Sequence, residues 1–194
     1  FGFFNNELNI SFDWYQRTTK DMLAPGQTMP DVLGAGAPKI NAGTLRTRGW
    51  ELSIDWRHHF NEINVYANAS IGDFKTVITK WDNDSQLLNE NYSGKVYGDI
   101  WGFETDRYFT KDDFNADGSY KEGIASQKKL EQDGFVYGPG DIKFKDLNND
   151  KEINGGEGTV KDHGDLKVIG NTTPRYQYGF RLGGEWKGID IDMF

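Results

Sequence analysis

The sequence predicts an all-β, antiparallel chain whose sheet has one apolar and one polar face, the form of a transmembrane β-barrel segment with long extracellular loops. Three observations carry that expectation: strict period-two alternation in several segments, short turns alternating with very long connections, and aromatic rings towards the segment ends. Successive strand side chains point to opposite faces, so alternation along the chain becomes segregation in space.

The elements follow in order. Phe1-Gly2-Phe3-Phe4 is an aromatic fragment closed by a tight turn at Asn5-Asn6. The first strong strand, over about 7–19, sets Leu8, Ile10, Phe12 and Trp14 against Glu7, Asn9, Ser11 and Asp13. A helix would place Leu8 beside Ser11 and Trp50 beside Ser53, so the helical period fails. The second strand, about 45–58, sets Trp50, Leu52, Ile54 and Trp56 against Glu51, Ser53, Asp55 and Arg57. A third, about 62–72, runs Ile63, Val65, Ala67, Ala69 and Ile71 on its apolar face. A fourth, about 175–186, carries Tyr176, Tyr178, Phe180, Leu182 and Trp186 opposite Gln177, Gly179, Arg181, Gly183 and Glu185. The last, about 188–194, carries Ile189, Ile191 and Met193.

His58–Glu62 and Lys187-Gly188 are short links, whereas the loops 20–44 and 80–173 are long, the second very long for neighbouring strands. All long connections therefore leave the sheet on one side, as in outer-membrane barrels. A soluble β-sandwich also has strands with one apolar face, packed inward, and alternation alone does not separate the two. Segment length near that of a tilted spanning strand favours the barrel. So do Trp14, Trp50, Trp56, Tyr176 and Trp186 near segment ends, and Asp13, Glu51, Asp55, Arg57, Arg181 and Glu185 on a face suited to a wet lumen.

Composition excludes other classes. Over 194 residues, Lys+Arg 22 against Asp+Glu 30 leaves a net charge of -8, which argues against a nucleic-acid binder. The absence of Cys excludes disulfides, zinc–cysteine sites and a cysteine nucleophile. A mean hydropathy of -0.72 leaves no run for a membrane-crossing helix, but a barrel strand needs an apolar residue only at every second position. His58 and His59 sit at a turn and His163 stands alone, so no general-base constellation is visible and the chain does not read as an enzyme.

Within the long loop, Asp146, Asn148, Asp150, Glu152, Asn154 and Glu157 fit the twelve-position spacing of a calcium loop. Lys151 stands where glycine normally makes the sharp turn, and its charge opposes a cation. The alternative is a set of Asx turns bonded to their own backbone. The run Asp112–Tyr120 reads as such a turn, and Ser126–Gln132 as a short helix with Gly134 near its end.

The wording of several segments resembles SusC/RagA-type TonB-dependent transporters. Leu8–Leu23 is similar to a strand and loop entry of that family, and Asn41-Ala42-Gly43 with Thr47–Leu52 to its next strand. Gly98–Phe109, Gly140–Asp150, Ile169–Pro174 and Tyr178-Gly179-Phe180 follow the family's signature order. The resemblance implies one part of a 22-stranded barrel in the outer membrane, with the plug domain and TonB-contacting region outside this segment. It also implies a SusD-like surface lipoprotein as lid, energy delivered through TonB, outer-membrane lipid around the wall, and an oligosaccharide or peptide as substrate. Trp81, Tyr92, Tyr97, Trp101, Tyr108 and Tyr137 then become candidates for lid or substrate contact, although most are expected to form the loop's own small core. The competing expectation is a soluble, secreted β-sandwich with calcium-stiffened loops that binds carbohydrate or acts as an adhesin.

Overall fold

A computed structural model describes residues 1–25 and 39–194. Most of the loop expected over 20–44 lies outside the described residues. The chain divides into two units, 1–79 with 173–194, and 80–172.

The first unit is a sheet. Its strands are β1 (Gly2–Phe3), β2 (Leu8–Pro25), β3 (Lys39–Phe60), β4 (Ile63–Lys80), β9 (Gln177–Trp186) and β10 (Ile189–Met193), hydrogen-bonded in that order. Every pairing whose register is described is antiparallel. Backbone pairing does not depend on side-chain alternation, so β2 continues to Pro25, β3 begins at Lys39 and β4 runs to Lys80. The ends assigned to loops by alternation are strand. β9 instead starts later than expected, because Tyr176 adopts a left-handed φ of 54°.

The turns explain the hairpins. Phe4, Asn5 and Asn6 all take positive φ, and Glu7 N donates to Phe4 O at 3.1 Å. Lys187 and Gly188 take φ of 46° and 84°, the two left-handed positions that suit a tight hairpin between twisted strands.

Register puts the apolar residues on one face. Leu8, Ile10, Phe12 and Trp14 lie opposite Trp56, Ile54, Leu52 and Trp50, and Ala67, Ala69 and Ile71 lie opposite Leu182, Phe180 and Tyr178. That face is uncovered: Phe12, Trp14, Tyr178, Phe180 and Ile191 are each more than half exposed. A sandwich would pack a second sheet there, and among the described residues of this unit none does.

The other face is polar and bonded across strands. Arg181 grips Asp192 at 2.5–3.0 Å, and Asn68 donates to Asp55. Two tyrosines on this face lie opposite glycine, Tyr15 across from Gly49 and Tyr66 across from Gly183. A Cβ on either glycine would strike the facing ring, so glycine here makes room for a large ring on the polar face to lie flat on the sheet.

The second unit has its own core, with Leu88, Tyr92, Phe109, Phe114, Ala125 and Ile153 buried. Its strands are short: β5 (Asp99–Phe103) pairs with β8 (Leu166–Asn171), and β6 (Thr105–Tyr108) with β7 (Ile142–Phe144). The helix expected over 126–132 is a single 3-10 turn at Lys128–Leu130, and Ser126 instead bridges to Glu152.

Candidate functional site

The 80–172 unit holds the candidate residues, and buried polar side chains fix its shape. Gln127 is fully buried, donates through Nε2 to Ile142 O at 3.1 Å and accepts from Phe144 N at 2.7 Å. Its amide thereby serves β7 as a neighbouring strand would. Asp165 is also fully buried, and its carboxylate accepts from Leu147 N at 2.8 Å and Asn154 N at 3.0 Å. It holds both ends of the 147–154 segment. Sequence pattern gave no sign of either residue, because their partners are distant backbone groups.

Two charge clusters tie the strands together. Glu104 accepts from Lys145 at 2.7 Å and Lys167 at 2.6 Å, and these ammonium groups hold its carboxyl down to about 2. One side chain at the β5–β6 junction therefore reaches the residue after β7 and a residue within β8. Asp113 is buried and receives both Arg107 guanidinium nitrogens at 2.6 Å, Thr110 N at 2.7 Å and Thr110 Oγ1 at 3.1 Å. The Arg107 guanidinium, followed by the Thr110 bonds, holds the Asp113 carboxyl well below the usual carboxylate range.

That shift sets a pH dependence. A carboxyl depressed in the folded state stabilises the unit above its unfolded value of 3.8, and the contribution is lost as pH falls below it. Arg107 is partly solvated, so about 2 kcal/mol is expected. Amide exchange in peptides covering 105–121 should quicken on going from pH 7 to pH 3, after correction for intrinsic rates. Asp113→Asn should show the faster exchange already at pH 7.

The 146–157 loop is a ladder of Asx bonds. Asp146 accepts from Asn149 N at 2.6 Å and Lys151 N at 2.9 Å, Asn148 from Asp150 N at 2.9 Å, and Asp150 from Glu152 N at 2.8 Å. Asn154 accepts from Gly156 N at 2.9 Å, and Glu152 pairs with Lys129 at 2.6 Å. The Glu152 N–H and the Asn148 side chain hold the Asp150 carboxyl below its ordinary value. Among the described residues, no group of three or more His, Cys, Asp and Glu side chains is placed to hold a metal ion. Lys151 keeps the sharp turn without glycine, at a left-handed φ of 67°. In the other acidic run, Asp117 accepts from Ser119 N at 3.0 Å, an Asx turn.

The six candidate aromatics separate. Tyr92 is buried and accepts from Trp101 Nε1 at 3.2 Å. Trp81, Trp101 and Tyr137 are half-buried, Trp101 lying 5.4 Å from the His163 ring and Tyr137 4.9 Å from Phe135. Tyr97 and Tyr108 are exposed, at 52% and 67%. These two rings are the solvent-exposed members of the six.

Comparison with known proteins places this geometry. A family model described as "TonB dependent receptor-like, beta-barrel" matches residues 1–188. TonB-dependent receptor P3 of Formosa agariphila is 28% identical over 98% of this chain and 18% of its own length; TonB-dependent receptor P39 of the same organism is 26% identical over 96% and 20%. The chain thus spans about a fifth of these curated relatives. Solved structures of the RagAB peptide transporter share the fold: one aligns with a TM-score of 0.59, and the "open-open" state of the importer with 0.64, each at 22% identity over 98% of this chain and 19% or 18% of the other.

Proposed function

Because this chain belongs to the TonB-dependent receptor-like β-barrel family, we propose that it is wall and surface loop of an outer-membrane importer for oligosaccharides or peptides. The observation that carries the reading is the uncovered apolar face of the first unit, backed by a polar, cross-bonded face. Lipid suits the first face and a hydrated lumen the second. Both long connections, from β2 to β3 and from β4 to β9, leave the same end of the sheet, and that end is assigned to the cell exterior. There the 80–172 unit meets a SusD-like lipoprotein lid or the substrate through Tyr97 and Tyr108, and TonB acts through parts of the protein outside this segment. Cells that depend on the intact protein for a nutrient should lose uptake when TonB is removed. Uptake that persists without TonB overturns the reading.

Calcium at 146–157 is carried by sequence spacing. With the Asp146 and Asp150 carboxylates engaged by backbone N–H groups, binding is expected in the range of about 0.1–1 mM, that of weak extracellular modules. Lys151→Gly removes both the opposing charge and the left-handed strain, and should tighten calcium binding in calorimetry of the intact protein. An unchanged titration, or no calcium heat from either protein, refutes the calcium reading.

A further inference from the structure

The apolar face of β2–β4 changes character beyond its rings. Trp14 lies opposite Trp50, and the next steps towards the long-loop end put Gln16 opposite Arg48 and Thr18 opposite Arg46 on that same face. Two polar-face bonds fix the register of β3 against β4: Asn68 to Asp55, and the Thr47 and Thr76 hydroxyls 2.8 Å apart. Eight residues separate Asp55 from Thr47 on β3, and eight separate Asn68 from Thr76 on β4. The two strands therefore run antiparallel without a slip, which sets Arg48 directly across from Lys75 on the apolar side.

Three cations thus share one small band. Directly opposite side chains on neighbouring strands are about 5 Å apart at Cβ, and like charges placed there repel. Arg46 follows about 7 Å further along β3. Arg48 and Lys75 are exposed and Arg46 half-buried, and none of them has an ion pair among the described residues. Arg48 uses only its Nε, donating to Gln16 at 2.7 Å, which steadies the guanidinium and leaves its two terminal NH2 groups for another partner. The nearby carboxylate on this side, Asp73, is already held by Arg175 at 2.6 Å. The opposite end of the face is built differently: Trp56, His58 and Phe60 form a run of rings, and Lys187 pairs with Glu62 at 2.8 Å.

The geometry points to the Arg46–Arg48–Lys75 band as a binding site for the phosphorylated headgroup of an outer-leaflet lipid. Phosphate oxygens accept from the Arg48 NH2 groups and the Lys75 ammonium, offsetting the repulsion between them. The acyl chains then run down the face over Trp14 and Trp50 and the aliphatic rows beneath. Soluble phosphate meets the cations but gains nothing from those apolar rows. This rests on the lipid-facing wall of the importer reading and gives that wall a specific lipid contact.

The test uses the intact protein in nonionic detergent with diphosphorylated lipid A as probe, and dephosphorylated lipid A and inorganic phosphate as controls. Native mass spectrometry should show a lipid A adduct whose Kd rises about threefold in Arg48→Gln or Lys75→Gln and about tenfold in the double variant, the scale of one and two solvated charge contacts. Lys187→Gln, at the other end of the face, should leave it unchanged. Stability gives a second readout. In phosphatidylcholine bilayers Lys75→Gln should raise the urea midpoint by removing the repulsion from Arg48, and added lipid A should raise the wild-type midpoint more than that of the variant. Lipid A affinity unaltered in the double variant, equal affinity for the dephosphorylated lipid, or competition by an equal concentration of inorganic phosphate would overturn the site. TonB-dependent uptake by cells carrying the same protein separates the two readings: uptake intact with the lipid test failing removes the headgroup site alone, whereas TonB-independent uptake removes the importer reading.

Discussion

Asp165→Ala should loosen the 80–172 unit by about 3–5 kcal/mol while leaving the sheet of the first unit unchanged. The carboxylate is fully buried and is the acceptor for two backbone donors, Leu147 N and Asn154 N. Alanine leaves both N–H groups without that acceptor in a site closed to bulk water, and each orphaned donor costs about 1–3 kcal/mol. The backbone bond from Asp165 N to Asn154 O at 2.8 Å then loses its two flanking supports. Asp165→Asn should cost less, because its amide oxygen still serves one donor while its NH2 faces the other. Hydrogen exchange on the intact protein reads this directly. Peptides covering 145–156 and 164–168 should lose protection in the order wild type, Asn, Ala, while those covering 8–20 keep theirs. Equal protection in all three proteins would mean that Asp165 does not hold the loop.

The same residue shows where sequence reading stops. The wall strands were legible because burial of one face imposes a period of two, as in Leu8, Ile10, Phe12 and Trp14, and one register slip would turn all of them over. The hairpin at Lys187-Gly188 was legible because Gly188 suits left-handed φ. Strand ends were not: β4 passes Gly72 and continues to Lys80 through Asp73 and Lys75, where pairing goes on after alternation fades. Inside the 80–172 unit, strands as short as Ile142–Phe144 carry too few residues to show a period. Gln127 and Asp165 act on backbone groups 11–18 residues away, a relation with no local signature. Among the aromatics, composition alone did not distinguish buried Tyr92 from exposed Tyr108, since the difference lies in which neighbours the short strands bring against each ring.

Leu182→Arg tests the wall itself, with an expected loss of about 2–4 kcal/mol, the range for arginine near the bilayer midplane on a barrel's lipid face. Leu182 is 47% exposed, pairs with Ala67 on one side and Met193 on the other, and lies midway along β9 between Tyr178 and Trp186. Those two rings mark the interfacial belts on this strand, separated by about 27 Å of extended backbone, so Leu182 sits furthest from either aqueous boundary. Arginine there has only apolar neighbours across the strands and reaches water by deforming the bilayer. Trp14→Arg, on the same face but towards the long-loop end, should cost only about 0–1 kcal/mol. Ser11→Arg points to the polar face beside Asp13, whose carboxylate Ser11 Oγ reaches at 3.3 Å, and should be close to neutral. Urea unfolding of the intact protein in lipid bilayers measures the series, and the amount of folded protein in outer membranes reports it in cells. The informative quantity is the difference between faces. Equal losses at Leu182 and Ser11 would show that the two faces meet the same solvent, which would remove the lipid-facing wall on which the importer reading stands.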